Sequence, residues 1–426
     1  MASNQSTVAR ATFHLPLEIT IEILSRLPVK SLLRFKSVCK TWYDLIETPD
    51  FISKHLQTHS TLNSTSLLVT NYNRETETHQ MSLLSNDGLH NRPINLDFPF
   101  LNGRINKYTT GMGYFYIVGI CNGLVCISFS PYVYPLILCN PSTRQLREIA
   151  NSKLLDEMDC YGYERVKRVT FGFGFHPSAN DYKLIRIVRY FSCFEEAVTL
   201  VDLYVMSTNT WTKIDANKLS VLFGEINDWG EYDIIVGSTA SAVLNGVFYW
   251  SALVISTDEV IVMSFDMGDE VFRKIRTPVP LNRCFDEDIW RFVCSMDEKI
   301  WQFTELKDKL ALVILSDETY LDVWVLNAAD QNSWTNQFKV GSFPRISCYG
   351  RFGDNGEIRV VGCAKNGELV LTDHSGSGDL KLFSYDTETL KRTDLYFGWV
   401  PYRSACYLYT ETLLSVMQTN GSIELV

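Results

Sequence analysis

The sequence predicts an α+β chain in two parts: a small N-terminal helical module, followed by a mainly-β propeller of about six blades. Three observations carry this reading. Apolar residues recur at helical spacing from Leu15 to Leu56. Beyond about residue 65 that pattern stops, and five strand–turn–strand units follow, with turns near 140, 205, 266, 327 and 386. Asn-Gly dipeptides at 122–123, 245–246 and 355–356 mark further hairpins, because both turn positions tolerate positive φ. The expected boundaries are a disordered stretch over 1–11, the helical module over 12–57 and the propeller over 62–426.

The helical module comes first. Pro16 suits the start of a helix, where its missing N–H is no loss. Leu17, Ile19, Ile21, Ile23, Leu24 and Leu27 then cover about 200° of the helix circumference, whereas a helix lying on one core needs a stripe of about 100°. Pro28 ends this helix. Leu32, Phe35, Cys39, Trp42 and Ile46 repeat the theme at 3, 4, 3 and 4 spacing. Thr48-Pro49-Asp50 reads as a cap and restart. About 45 residues bury too little surface to be comfortably stable alone. The excess apolar surface must therefore face a partner or the rest of the chain, and periodicity leaves both open.

The propeller follows. The five turns are separated by 65, 61, 61 and 59 residues. Asn122-Gly123, Asn245-Gly246, Asp297-Glu298 and Asn355-Gly356 supply a second hairpin in most repeats. Two hairpins make a four-stranded sheet, and such sheets repeated at this period read as propeller blades with generous loops. A sixth hairpin, Ser66–Thr70 with Met81–Leu84, is expected to close the ring with strands at Ala405–Tyr409 and Leu413–Met417. A pair of irregular β-sandwiches is the structural alternative.

Composition narrows the function. The chain has 426 residues and net charge −10. Residues 1–60 carry seven basic and five acidic residues, so the remaining body has 32 basic against 44 acidic. Such a body repels nucleic acid and favours a basic partner. Five basic residues lie between Arg26 and Lys40 without an acid. That run reads as a solvated face or as a docking face for an acidic protein. No apolar run approaches a membrane span, and the polar opening MASNQSTVAR lacks a signal core. Cytosol or nucleus is expected. The eleven cysteines include no Cys-x-x-Cys pair, which fits reduced, small hydrophobic residues.

Catalytic and metal motifs find little support. Phe171-Gly172-Phe173-Gly174-Phe175 lacks the third glycine and the following helix of a dinucleotide loop, and reads as strand core. His55 and His59 are four apart but have no third ligand nearby in sequence. No metal and no cofactor are expected.

The residues also carry a resemblance. Leu15-Pro16, Ile23 to Leu32, Arg34-Phe35, Val38-Cys39-Lys40, Trp42, Leu45-Ile46 and Phe51 resemble an F-box of the plant type. Cys121 to Cys126, Asn140-Pro141-Ser142-Thr143-Arg144, Phe171 to Phe175 with Asp181 to Leu184, and Leu321 to Val325 resemble the plant F-box-associated interaction domain, a kelch-like propeller. That family includes pollen S-locus proteins and regulators of immune-receptor turnover. The resemblance implies a substrate-recognition subunit of a cullin–RING ubiquitin ligase. The F-box would bind a Skp-family adaptor through Leu15, Pro16, Ile23, Leu24, Leu27, Pro28, Leu32, Phe35, Val38, Cys39 and Trp42. Some of these must also hold the module's own core, and the sequence does not divide the two sets. Target ubiquitination and proteasomal degradation would follow, without a catalytic residue in this chain.

The target would be held by propeller loops, where aromatic residues anchor interfaces. Tyr161, Tyr163, Trp229, Tyr232, Trp290 and Tyr349 are the candidates, with Asp228, Glu231 and Asp286 to Asp288 beside them. Two other classes compete. One is a propeller hydrolase or oxidase with a helical appendage, which needs acids or histidines clustered at the axis. The other is a scaffold that binds the adaptor without target turnover.

Overall fold

In the computed structural model of the chain, the described residues are 15–61, 66–73, 78–85, 94–96, 114–130, 135–152, 166–191, 197–219, 234–237, 239–254, 257, 259–279, 301–316, 320–327, 333–341, 358–364, 367–373, 381–395 and 405–417. Four helices come first: α1 (Leu17–Leu24), α2 (Val29–Phe35), α3 (Lys40–Ile46) and α4 (Pro49–Thr61). Pro16 and Pro28 stand just ahead of α1 and α2. Thr48 caps α4 by accepting the Phe51 N–H on Oγ1 at 3.3 Å. Three or four short helices are expected over 13–57, and four are found. Cys39 is extended (φ −160°, ψ 162°) and separates α2 from α3.

Six antiparallel sheets follow. The second blade runs Tyr114–Cys121, Leu124–Ser130, Leu136–Asn140, Gln145–Glu148, and the third Val166–His176, Asp181–Phe191, Ala197–Val205, Thr210–Ile214. The fourth pairs Ile234–Val236 and Ala242–Leu244 with Val247–Val254, then adds Glu259–Asp266 and Val271–Arg276. The fifth is Trp301–Leu306, Lys309–Ser316, Tyr320–Leu326, Trp334–Gly341, and the sixth Ile358–Cys363, Glu368–Asp373, Lys381–Asp386, Arg392–Leu395. The first blade joins distant parts of the chain. Ser66–Asn73, Thr78–Ser85 and Ile94–Asn95 receive Ala405–Tyr409 as their fourth strand, with Leu68 opposite Tyr407.

The core lies between blades. Leu68, Met81 and Phe129 pack blade one on blade two. Cys126 and Leu138 meet Phe171 and Tyr204 between two and three, and Ile185 and Val201 meet Phe248 and Trp250 between three and four. Val262 meets Leu312 between four and five, Val323 meets Leu371 between five and six, and Leu67 meets Val370 between six and one. A middle strand is thus buried on both faces. This is why Leu136–Asn140 is buried throughout and why such strands read as continuous apolar runs. Outer strands such as Arg392–Leu395 are largely exposed. Burial pushes the Cys126 and Cys139 thiols upward, which keeps them unreactive.

The repeated turns have one physical basis. Asn140 Oδ1 accepts the N–H groups of Ser142 and Thr143, Asp266 Oδ1 those of Gly268 and Asp269, and Asp386 Oδ1 those of Glu388 and Thr389. The Phe-Gly-Phe-Gly-Phe stretch brings two blades into close approach. A Cβ on Gly172 would meet Phe248 at 2.8 Å, and one on Gly174 would meet Val243 at 2.3 Å.

Several expectations require correction. Leu413–Met417 is not a strand, and it packs between the helical module and the second blade. The fifth blade turns at Lys307-Asp308, both at positive φ, and the sixth near Gly367. The turns expected at Asp297 and Asn355 lie outside the described residues.

Asn122-Gly123 and Asn245-Gly246 both have two consecutive positive-φ residues, but their surroundings differ. An Ala Cβ at 123 would meet the Thr410 carbonyl oxygen at 2.3 Å, whereas at 246 it would meet the His176 ring at 2.6 Å. Backbone gives way less readily than a side chain. Gly123→Ala is therefore expected to lower stability by about 2 kcal/mol or more, and Gly246→Ala by clearly less. Denaturant midpoints at constant slope measure both, and equal losses would contradict the assignment of Gly123 to a backbone contact.

Candidate docking face

The helical module separates its apolar residues into an inner and an outer set. Leu24, Val29, Leu32, Ile46 and Phe51 form its core, and Leu413 from beyond the last strand completes it. Ile19 and Ile23 are four apart and lie on the side of α1 away from Ile21 and Leu24. Leu15, Leu17, Ile19, Ile23, Val38 and Tyr43 are 48–61% exposed. These are six of the ten exposed large hydrophobic residues among those described. Scattered exposed leucines are ordinary, but such a concentration marks an interaction surface.

The eleven residues expected to dock a partner divide accordingly. Leu15, Pro16, Ile23, Pro28, Val38 and Cys39 are exposed. Leu27, Phe35 and Trp42 are half-buried, with the rings of Phe35 and Trp42 5.4 Å apart. Leu24 and Leu32 are buried in the module's core, so they support the face from behind. Leu17, Ile19 and Tyr43 are exposed beside the expected set and were not in it. Leu17 and Ile19 were legible as part of the over-wide apolar arc of α1.

The charges around this face are partly neutralised. Arg26 and Lys54 both reach Glu22, at 2.6 and 2.9 Å, and Lys36 reaches Glu47 at 2.5 Å. The hydrogen bond from Lys54, then that from Arg26, holds the Glu22 carboxyl below its ordinary range. Lys30, Arg34 and Lys40 are exposed.

The module is mounted on the propeller. Glu411 Oε2 accepts the Val29 N–H at 3.0 Å, supplying an acceptor at the start of α2, where Pro28 offers no side-chain cap. Leu56 of α4 enters the core between blades two and three. His55 and His59 stack at 4.2 Å, and both donate from Nε2 to the Leu27 carbonyl oxygen, at 3.0 and 3.2 Å. His55 Nδ1 is buried with no hydrogen-bond partner among the described residues. Burial, and next the neighbouring His59, lowers the His55 pKa to about 4; burial also lowers that of His59, against the opposing charge of Glu411.

The loop candidates Tyr161, Tyr163, Trp229, Tyr232, Trp290 and Tyr349, with Asp228, Glu231 and Asp286 to Asp288, all lie outside the described residues. Among the described residues, no group of three His, Cys, Asp or Glu side chains is placed to hold a metal ion. No described helix is long and apolar enough to cross a membrane. One buried ionic pair escaped the sequence reading. Arg186 grips Asp202 with Nε at 3.0 Å and a terminal nitrogen at 2.5 Å, donates to Ser152 Oγ at 2.6 Å and lies 4.5 Å over the Trp211 ring. It is fully enclosed and knits the third blade to the end of the second.

Comparison with known proteins places both parts. Residues 13–54 match the F-box domain model, and residues 68–410 match the F-box associated beta propeller domain model. An F-box/kelch-repeat protein of Arabidopsis thaliana is 27% identical over 79% of this chain and 82% of its own. The Arabidopsis thaliana F-box protein CPR1 is 25% identical over 94% of this chain and 88% of its own.

The histidine pair gives a pH signature. A ring whose folded pKa lies below its unfolded value of 6.5 favours folding above that value, and the benefit is lost as pH falls towards about 4. Stability is therefore expected to fall between pH 6.5 and about 4, and His55→Gln to flatten that slope. Thermal melts across this range check it, and an unchanged slope in the variant would contradict the placement of His55.

Proposed function

Because the chain belongs to the F-box associated beta propeller family and carries an F-box domain ahead of that propeller, we propose that it is the target-recognition subunit of a cullin–RING ubiquitin ligase. The F-box binds a Skp-family adaptor, which links it to the cullin and RING subunits. The propeller loops capture a target protein. This reading goes with a receptor that works in the cytosol or nucleus.

The observation that carries the reading is the second apolar face of the module. Its core is already filled by Leu24, Leu32 and Leu413, yet Leu15, Leu17, Ile19, Ile23, Val38 and Tyr43 remain outside. A partner that covers them must be apolar at the contact. The half-buried Leu27, Phe35 and Trp42 and the exposed Pro16, Pro28 and Cys39 complete the docking set.

The mechanism is proximity. Holding a target beside the ubiquitin-charged enzyme raises the effective concentration of its lysines, and orientation adds to that. The bond from lysine to ubiquitin is made at the charged enzyme, which gives up its ubiquitin to the lysine amine. The chain contributes binding at two separate places, and target ubiquitination and proteasomal degradation follow from that bridge. The acidic body, 44 acidic against 32 basic residues beyond position 60, suits a target with a basic surface.

Substitutions distinguish the outer from the inner set. Ile23→Lys combined with Val38→Lys is expected to weaken adaptor binding by on the order of 100-fold or more while leaving the melting temperature unchanged, since both side chains are exposed. Leu32→Ala should instead cost about 2–5 kcal/mol of stability, because it empties a buried site. Calorimetric titration with a purified Skp-family adaptor and a thermal melt measure the two effects. Full adaptor affinity in the double variant would overturn the docking assignment.

A further inference from the structure

The segment from Thr410 to Val416 serves both halves of the molecule at once. Its leading end continues the strand that closes the ring. Along one side it is clasped by the second blade. Asn140 Nδ2 donates to the carbonyl oxygens of Thr412 and Leu414, at 3.0 and 2.7 Å, and Gln145 Oε1 accepts the Val416 N–H at 3.3 Å. Gly123 allows the Thr410 carbonyl oxygen to approach closer than any side chain would permit. Leu414 and Val416 enter the core between blades two and three. On its other side the segment holds the helical module, through Leu413 in the module's core and Glu411 on the Val29 N–H.

A module joined to a propeller by covalent chain alone samples many directions. Here a buried leucine, a charged acceptor on a backbone donor and an apolar contact through Leu56 fix one direction. We infer that Asn140, Glu411 and Leu413 are positioning residues, which set the direction of the docking face relative to the propeller. On the receptor reading above, on which this role rests, they determine where a captured target meets the charged enzyme. Misorientation then reduces transfer even when both partners are bound, because proximity acts only at the right geometry. Asn140 acts through the segment it clasps, and so touches neither partner.

The test uses the full chain, with keto amino acids at the exposed positions Asp50 and Lys381 carrying a donor and an acceptor dye. Single-molecule energy transfer reads the distance between module and propeller. The parent is expected to show one narrow distance population. Glu411→Ala combined with Leu413→Ala should lose it, and so should Asn140→Asp, which keeps the turn acceptor but removes the donor to Thr412 and Leu414. Glu411→Gln retains an acceptor for Val29 and should restore the narrow population. Affinity for a purified Skp-family adaptor should stay unchanged in Asn140→Asp, which leaves the module's own core intact. A purely structural role would lower the melting temperature without separating the two bodies. A broad distribution in the parent, or a narrow one in both Asn140→Asp and the Glu411/Leu413 variant, would overturn the inference. Failure of the parent to bind the adaptor would count against the receptor reading and leave the distance result standing.

Discussion

Five residues close this ring. Ala405–Tyr409 hydrogen-bonds along Ser66–Thr70, so the first blade exists only when the two ends of the propeller meet. Every blade buries its middle strands against its neighbours, and an open ring would leave two of those apolar faces in water. The closing strand then runs directly into the segment that seats the helical module. Propeller closure and module orientation are consequently properties of one stretch of chain. Loop closure over such a separation is costly in entropy, and the contacts of the ends must outweigh it.

Much of this was legible from residue types, for identifiable reasons. The outer turns were readable because Asn140, Asp266 and Asp386 fold the chain with their own side chains, a local effect that needs no neighbour. Turn spacing accounts for five blades, and the hairpin at Ser66–Thr70 with Met81–Leu84 for the sixth. The closing strand Ala405–Tyr409 was expected because the lone hairpin near Ser66 needs strands from the far end of the chain to close the ring. Leu413–Met417 misled because its apolar content resembles a strand. Its backbone groups instead bond to the side chains of Asn140 and Gln145, which are about 270 positions distant in sequence. Arg186 escapes a reading of the sequence for a similar reason. Within a strand it resembles a solvent-facing residue, and only the register that sets it opposite Asp202 explains its burial.

The docking face shows the same division. A 200° apolar arc announces that α1 has two partners, but not which half meets which. Leu413 settles the matter by filling the core on the Leu24 side, which leaves Ile19 and Ile23 outward. The motifs shared with the F-box associated propeller family acquire physical roles in the same way. Asn122-Gly123 and Asn140 receive the segment that follows the closing strand, with Asn122 also bonded to Tyr182 of the next blade at 3.0 Å. Phe171 to Phe175 lets the fourth blade approach, and Trp250 donates to the Phe171 carbonyl oxygen at 2.8 Å. These motifs build the mount and the ring.

Helical module and propeller form one cooperative body, joined through residues 411–416. Chains of several domains ordinarily unfold in separate steps. Differential scanning calorimetry of the intact protein, followed in parallel by helical circular dichroism and tryptophan fluorescence, tests the claim directly. A single transition is expected, in which the two optical signals coincide. A helical signal that melts ahead of the fluorescence change, as a separate calorimetric peak, would contradict it.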